Sequence, residues 1–234
     1  MSVFVTGDIH GHHDIGKLNS SNFKEGRNLT KEDFVIILGD FGLVFNNERT
    51  TQEQHWLDWL NDKKWTTLFF RGNHDNEPKL NSDLKEVKMF GGTVSQIDDL
   101  SIYRLLDGYS YIVDKMKFLI LGGAFSIDKY RRTEGRNWWP TEEMTFLETK
   151  QAFETLKENN FSFDYILTHD APSHVKDVLF SHHTENSYTN RFLDEVFLEN
   201  PLDFKHHYFG HHHQDRTVFE KHTCCYQKII ELKR

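Results

Sequence analysis

The stretch Phe34-Val35-Ile36-Ile37-Leu38-Gly39-Asp40-Phe41-Gly42 sets five consecutive apolar residues directly against a Gly-Asp turn. An apolar run without alternation reads as a strand buried on both faces, because a half-exposed strand would alternate. The same join recurs along the chain. Gly7-Asp8-Ile9-His10-Gly11 follows Val3-Phe4-Val5-Thr6, and Gly72-Asn73-His74-Asp75 follows Thr67-Leu68-Phe69-Phe70. Thr168-His169-Asp170 follows Tyr165-Ile166-Leu167, and Gly210-His211-His212-His213 closes the series. Phe118-Leu119-Ile120-Leu121 is a further run, ending at Gly122-Gly123. Helical spacing predicts helices over residues 50–62, with Trp56, Trp59 and Leu60 on one face and Thr50 or Thr51 as cap. Two more are predicted over 141–158, opening at Thr141, and over 188–197, with Phe192, Leu193 and Val196 inward. Segment 86–113 carries Gly91-Gly92 and Asp107-Gly108 between β-prone pieces and reads as an antiparallel meander. Residues 217–232 read as two strands around Lys221-His222-Thr223. The expected architecture is α/β, two sheets flanked by helices, in a single domain spanning 1–234.

Composition is consistent with that picture. A chain of 234 residues can bury a core without staples, and its apolar residues, 37% of the total with 20 Phe, are gathered into runs. The two cysteines, Cys224 and Cys225, are adjacent and cannot build a disulfide framework, so a reducing compartment is expected. The opening residues show no basic start, apolar stretch and cleavage site, and no run is long enough to cross a bilayer. A cytoplasmic protein without a membrane partner is the expectation. The net charge of −8 argues against a duplex nucleic-acid binder, which would carry a basic stripe.

Polar residues at the ends of buried strands fall at the crevice where open α/β sheets bind ligands. The side chains gathered there are Asp, His and Asn without Cys, a donor set suited to one or two divalent metals of borderline hardness. Any one cluster alone could be an ordinary turn. Asp8 and His10 are two apart in a turn, so both can reach one ion. Asp40 has two carboxylate oxygens and can bridge two ions, Asn73 offers a neutral amide oxygen, and His211 and His213 can address neighbouring ions.

Taken in order, D-x-H, GD, GNH[DE], a lone His and GHxH resemble the pattern of the calcineurin-like metallophosphoesterases, over residues 7–213. The resemblance implies an α/β sandwich and a two-metal hydrolase of phosphate esters. It implies that Asp8, His10 and His213 hold a first ion, that Asn73, His169 and His211 hold a second, and that Asp40 bridges them. Mn2+ is the expected metal, ahead of Fe, Zn, Ni or Co. A hydroxide shared by the two ions would attack phosphorus in line. His74 would contact the phosphate and serve as general acid, and Asp75 would orient its imidazole or cap a turn.

One departure matters. The serine/threonine protein phosphatases read GDxVDRG at the second motif, whereas here Gly39-Asp40-Phe41-Gly42-Leu43-Val44 lacks the second Asp and the phosphate-binding Arg. Another cation must then grip the phosphate. Residues 124–140 are the candidate segment, with Lys129, Arg131, Arg132 and Arg136 for phosphate and Trp138 and Trp139 to stack on a base. That stretch also resembles one in small bacterial and phage-type metallophosphoesterases. The competing account is a charged surface loop whose tryptophans pack under the next helix. His12, His13, His206, His207 and His212 match no ligand place, and His174, His182 and His183 lie in a polar stretch after His169. The expected activity is a phosphodiesterase or pyrophosphohydrolase on small nucleotide-like substrates. A phosphomonoesterase acting on protein or small molecules is the alternative, followed by a nuclease or a non-catalytic scaffold. A scaffold would have lost ligands, and here all seven ligand types are present.

Overall fold

The computed structural model describes residues 1–180 and 187–234. His182 and His183 lie outside the described residues. Two mixed sheets face one another. The first runs in the order β13 (Ile229–Glu231), β1 (Val3–Thr6), β2 (Phe34–Ile37), β3 (Thr66–Phe69), β6 (Ile102–Leu105), β5 (Gly92–Gln96), β4 (Lys85–Met89). The second runs β11 (Arg216–Val218), β12 (His222–Cys224), β10 (Asp203–Phe209), β9 (Ser162–Thr168), β8 (Met116–Leu121), β7 (Ser110–Val113). At the centre of each sheet four strands are parallel: β1, β2, β3 and β6 in one, β8, β9, β10 and β12 in the other.

The unbroken apolar runs follow from this layering. Successive side chains of a strand point to opposite faces, and here both faces are covered. Val3, Val5, Ile36, Leu38 and Leu68 of the first sheet pack against Phe118, Ile120, Tyr165 and Leu167 of the second. The intervening Phe4, Val35, Ile37 and Phe69 turn outward to Leu57 and Leu60 of α1 (Thr51–Asn61). Leu119, Leu121 and Ile166 turn outward to α3 (Phe146–Glu158) and α5 (Tyr188–Leu198). Two short helices, α2 (Glu77–Asp83) and α4 (Ser173–Phe180), complete the set. Among the described residues no helix is long and apolar enough to cross a membrane.

Three sequence expectations need correction. The meander is real only from β4 to β6; β7 leaves it and pairs antiparallel with β8 in the opposite sheet. The carboxyl-terminal segment forms three strands rather than two. Phe219 and Glu220, both with positive φ, make the turn, so His222 and Thr223 lie inside β12, and β13 crosses back to pair with β1. The helix expected from Thr141 begins five residues later. The Arg71 guanidinium takes the carbonyls of Thr141, Glu142 and Glu143 out of reach of a helical ladder. Thr145 is the true cap, in a reciprocal box with Glu148, and Glu148 Oε2 also accepts from Arg71 Nη2 at 2.8 Å.

Candidate metal centre

Parallel strands of both sheets end at one crevice, and five of these endings deliver the clusters read from the sequence. β1 delivers Asp8 and His10, β2 Asp40, β3 Asn73 and His74, β9 His169, and β10 His211 and His213. Hydrogen bonds cross between these loops. His10 N donates to Asp40 O at 2.9 Å, His211 N to Asp8 Oδ1 at 3.0 Å, and His74 N to Asp40 Oδ1 at 2.7 Å. His169 Nδ1 meets Leu38 O at 2.7 Å, which leaves Nε2 facing Asp40 Oδ1 at 3.4 Å and Asn73 Oδ1 at 3.0 Å. His10 Nδ1 meets Asp14 Oδ2 at 2.9 Å, so its Nε2 turns inward, 3.3 Å from Asp40 Oδ2 and 3.9 Å from Asp8 Oδ2. In both histidines one ring nitrogen is fixed by an oxygen and the other is presented to the centre, the arrangement that orients metal-ligating imidazoles.

The loops adopt backbone that side chains rarely accept. His10, Asp40, His211 and His213 all have φ between 43° and 64°. Such residues cluster at functional sites because the surrounding structure over-determines them. Gly72 is required by crowding: a Cβ there would collide with Asp40 and with the His169 ring.

The residues present fit a metal pair. Asp8 and Asp40 are buried, and His213 Nε2 stands 3.1 Å from Asp8 Oδ2 and His10 Nε2 3.3 Å from Asp40 Oδ2, yet among the described residues neither oxygen accepts a hydrogen bond of good geometry. A buried carboxylate oxygen without a donor is costly unless a cation completes it. Ligand atoms of Asp8, His10 and His213 lie within 4.8 Å of one another, as do those of Asp8, Asp40 and His169. Asp170, His211 and His212 form a third such group, but Asp170 is already saturated. It accepts from Asn190 Nδ2 at 2.6 Å and Ala171 N at 2.8 Å, and faces His212 Nε2 at 2.9 Å and Lys176 Nζ at 3.5 Å.

Charge is balanced inside the site. Burial opposes ionisation of Asp40, but the imidazoles of His169, His74 and His10 outweigh it and hold the carboxyl well below its usual range. Burial would also push the imidazoles down, yet the Asp40 carboxylate raises His10 to about 9 and His169 to about 10. At His211 the pull of Asp170 and Asp40 is outweighed. Burial and neighbouring His212 lower it to about 3, so the imidazole is neutral near pH 7. A ligating imidazole must be unprotonated, so loading divalent ions at pH 7.5 should expel protons from His10 and His169. Calorimetry of Mn2+ binding in buffers of different ionisation enthalpy measures this directly; heats independent of the buffer would refute it.

His74 lies beside the carboxylates with its imidazole lowered, first by burial and then by Arg132, against the pull of Asp40. Arg132 Nη1 lies 2.8 Å from His74 Nδ1. Arg132 Nη2 lies 3.3 Å and Asn73 Nδ2 3.2 Å from the other ring nitrogen, Nε2, so donor groups face both nitrogens of the ring. Arg132 is itself held by Asp128, through Nε to Oδ1 at 2.8 Å and Nη2 to Oδ2 at 2.9 Å. Asp75 is buried and points away from that imidazole. It accepts the backbone N–H groups of Phe41, Gly42 and Gly72, tying the second ligand loop to the third. Burial, reinforced by Asp40, raises its carboxyl to about 6 despite those donors.

The other residues of segment 124–140 are spread out. Arg131 and Arg136 are exposed, with the Arg131 guanidinium over the Tyr130 ring. Trp139 is buried edge-on against Phe45, at 5.0 Å between centroids. Trp138 is half-buried, its indole N–H without a partner among the described residues. Several contributors escaped the sequence reading. Asp14 and Tyr226 hold His10, since Tyr226 OH donates to Asp14 Oδ1 at 2.9 Å. Lys17 is buried beneath the first loop and donates to the carbonyls of Gly7, Asp8 and Tyr226. Only Asp14 had a usable signal, as a carboxylate four residues after a proposed ligand.

A model of the calcineurin-like phosphoesterase family matches residues 1–215. The chain therefore belongs to the calcineurin-like phosphoesterases, a family of metal-dependent phosphoester hydrolases. No curated protein matches it. Among solved structures it is similar to a candidate 5′-nucleotidase from Staphylococcus aureus, crystallised in complex with alpha-ketoglutarate. Identity is 16% and the TM-score 0.51, over 96% of this chain and 48% of that one. The chain thus spans about half the length of that relative, and the likeness is one of fold.

Proposed function

We propose that the protein is a metal-dependent phosphoester hydrolase of small, nucleotide-like substrates, cleaving diesters or anhydrides in preference to monoesters. The observation that carries this reading is the pair of buried carboxylates Asp8 and Asp40, whose Oδ2 atoms make no well-formed hydrogen bond and whose oxygens gather with the ring nitrogens of His10, His213 and His169. Asp8, His10 and His213 would hold one divalent ion and Asn73, His169 and His211 another, with Asp40 between them. Ions bound there would supply a nucleophilic water near neutral pH and neutralise phosphate oxygens as charge shifts. The chain's own residues supply the rest. Arg132, its fork fixed by Asp128, grips a non-reacting phosphate oxygen. His74 supplies a proton from its imidazole to the oxygen that leaves, and Asp75 keeps the two loops in register.

The decisive test is turnover of Mn2+-loaded protein on bis(p-nitrophenyl) phosphate against p-nitrophenyl phosphate. Faster diester cleavage supports the reading, monoester preference turns it into a phosphatase, and no cleavage of either removes it. Arg132→Ala should lower kcat/KM by about 1.5–3 kcal/mol, the range for a hydrogen bond to a charged group. Metal content should be unchanged. Because Arg132 helps to depress the His74 imidazole, its removal should also move the alkaline limb of the kcat/KM profile to higher pH. Wild-type kcat/KM with an unshifted limb would take Arg132 out of the site.

A further inference from the structure

The crevice is divided. Two cavities flank the metal centre, one of 390 Å³ and one of 630 Å³, and the described residues common to both linings are His74 and Arg132. The hydrogen-bonded pair therefore forms a ridge, with space on either side. The cavities differ in chemistry. The smaller one lies against His10 and is walled by Leu43, Phe45 and Trp56, with Asn46, His12 and His13 at its polar edge. Phe45 is backed by the buried Trp139, so that wall is firm. Broad rings with a few amide and imidazole groups at the edge suit a planar heteroaromatic ring.

The larger cavity is lined by Asn73 and His211, and Lys176 belongs to the same lining. This lysine is only 8% exposed. Its ammonium donates to Asn190 Oδ1 at 2.8 Å and lies 3.5 Å from Asp170 Oδ2, which fixes its position. Asp170 also accepts from Asn190 Nδ2 and the Ala171 N–H and faces His212 Nε2, so its oxygens are not bonded to Lys176 alone. A cation held at the wall of a cavity next to a phosphate site is suited to a second anionic group.

Resting on the phosphoesterase reading above, we infer that the scissile phosphorus of the natural substrate carries two arms. One ends in a planar base seated on Trp56, and the other carries a further negative charge held by Lys176. Nucleoside polyphosphates cleaved at the phosphorus nearest the nucleoside belong to this class. In that reaction the water oxygen bonds to the α-phosphorus, and the bond from that phosphorus to the bridging oxygen breaks. The electron pair leaves on the oxygen of the polyphosphate, which takes a proton. The products are a nucleoside monophosphate and a shortened phosphate chain, and water is the only co-reactant.

The test compares kcat/KM of Mn2+-loaded protein on a nucleoside 5′-triphosphate with that on p-nitrophenyl phosphate, and follows products by chromatography. The wild type should release nucleoside monophosphate and pyrophosphate. Trp56→Ala should lower the ratio of the two kcat/KM values by about ten-fold, since it removes the ring face on which the base would stack. Lys176→Met should lower it similarly, and Lys176→Arg should restore it. Binding of the α,β-methylene triphosphate by calorimetry should weaken in parallel in both variants, independently of turnover. If Lys176→Met does not fold, the Trp56→Ala result still decides the aromatic arm and Lys176→Arg the charged one. Release of orthophosphate alone, or ratios and affinities within two-fold of wild type, would overturn the two-armed assignment while leaving a working phosphoesterase. Failure to cleave p-nitrophenyl phosphate and the triphosphate alike would defeat both this inference and the reading beneath it.

Discussion

Asp40→Asn is expected to abolish turnover and to lower the metal content of the purified protein while leaving it folded. Asp40 is the residue that faces both halves of the centre, with Oδ2 toward His10 and Oδ1 toward His169. An amide offers one neutral oxygen where the carboxylate offers two charged ones, so it serves two dications poorly. The fold should survive, because the amide oxygen can still accept the His74 N–H that Oδ1 accepts now. Elemental analysis, circular dichroism and turnover on an activated diester together check the three parts of this expectation. Near-normal turnover would remove the dinuclear assignment.

His74→Asn should behave in the opposite way toward metal. It should keep the ions and lose roughly 10²–10⁴-fold in kcat, the range typical of general acid–base catalysis. Its imidazole reaches Arg132 and lies near Asn73 Nδ2 at 3.2 Å, whereas the proposed ligands meet around Asp8 and Asp40. The loss should shrink with p-nitrophenolate, which leaves without a proton, and be full with an alkoxide. Equal losses on both would mean that His74 does not protonate the leaving group.

Much of this was visible in the chain because both faces of the central strands are covered. Burial on two sides made Phe34–Leu38 and its counterparts continuous, and continuity marked where each strand stops and a polar cluster begins. What stayed hidden depends on contacts distant in sequence. Nothing in segment 86–113 says that β7 leaves one sheet for the other, since the same short β-prone pieces serve either. α2 and α4 are too brief to show a period. Thr141 and Thr145 are both plausible caps by composition, and only the approach of Arg71, 70 residues away from Thr141, selects the second. Likewise Lys176 is one of 28 basic residues until Asp170 and Asn190 are folded against it. The segment 124–140 stood out by charge, yet charge alone could not single out Arg132 as the one beside His74.

The left-handed backbone at His10, Asp40, His211 and His213 sets this protein's capacity for improvement against its chemistry. Residues held in that region cost of order 1–3 kcal/mol each, and glycine would relieve it at any of the four. Selection for thermal endurance alone would therefore find gains at these positions and erase the donors that make the crevice useful. Only a screen that demands ion retention as well as heat resistance would keep them. The robustness of such a variant would have to come from surfaces far from the crevice.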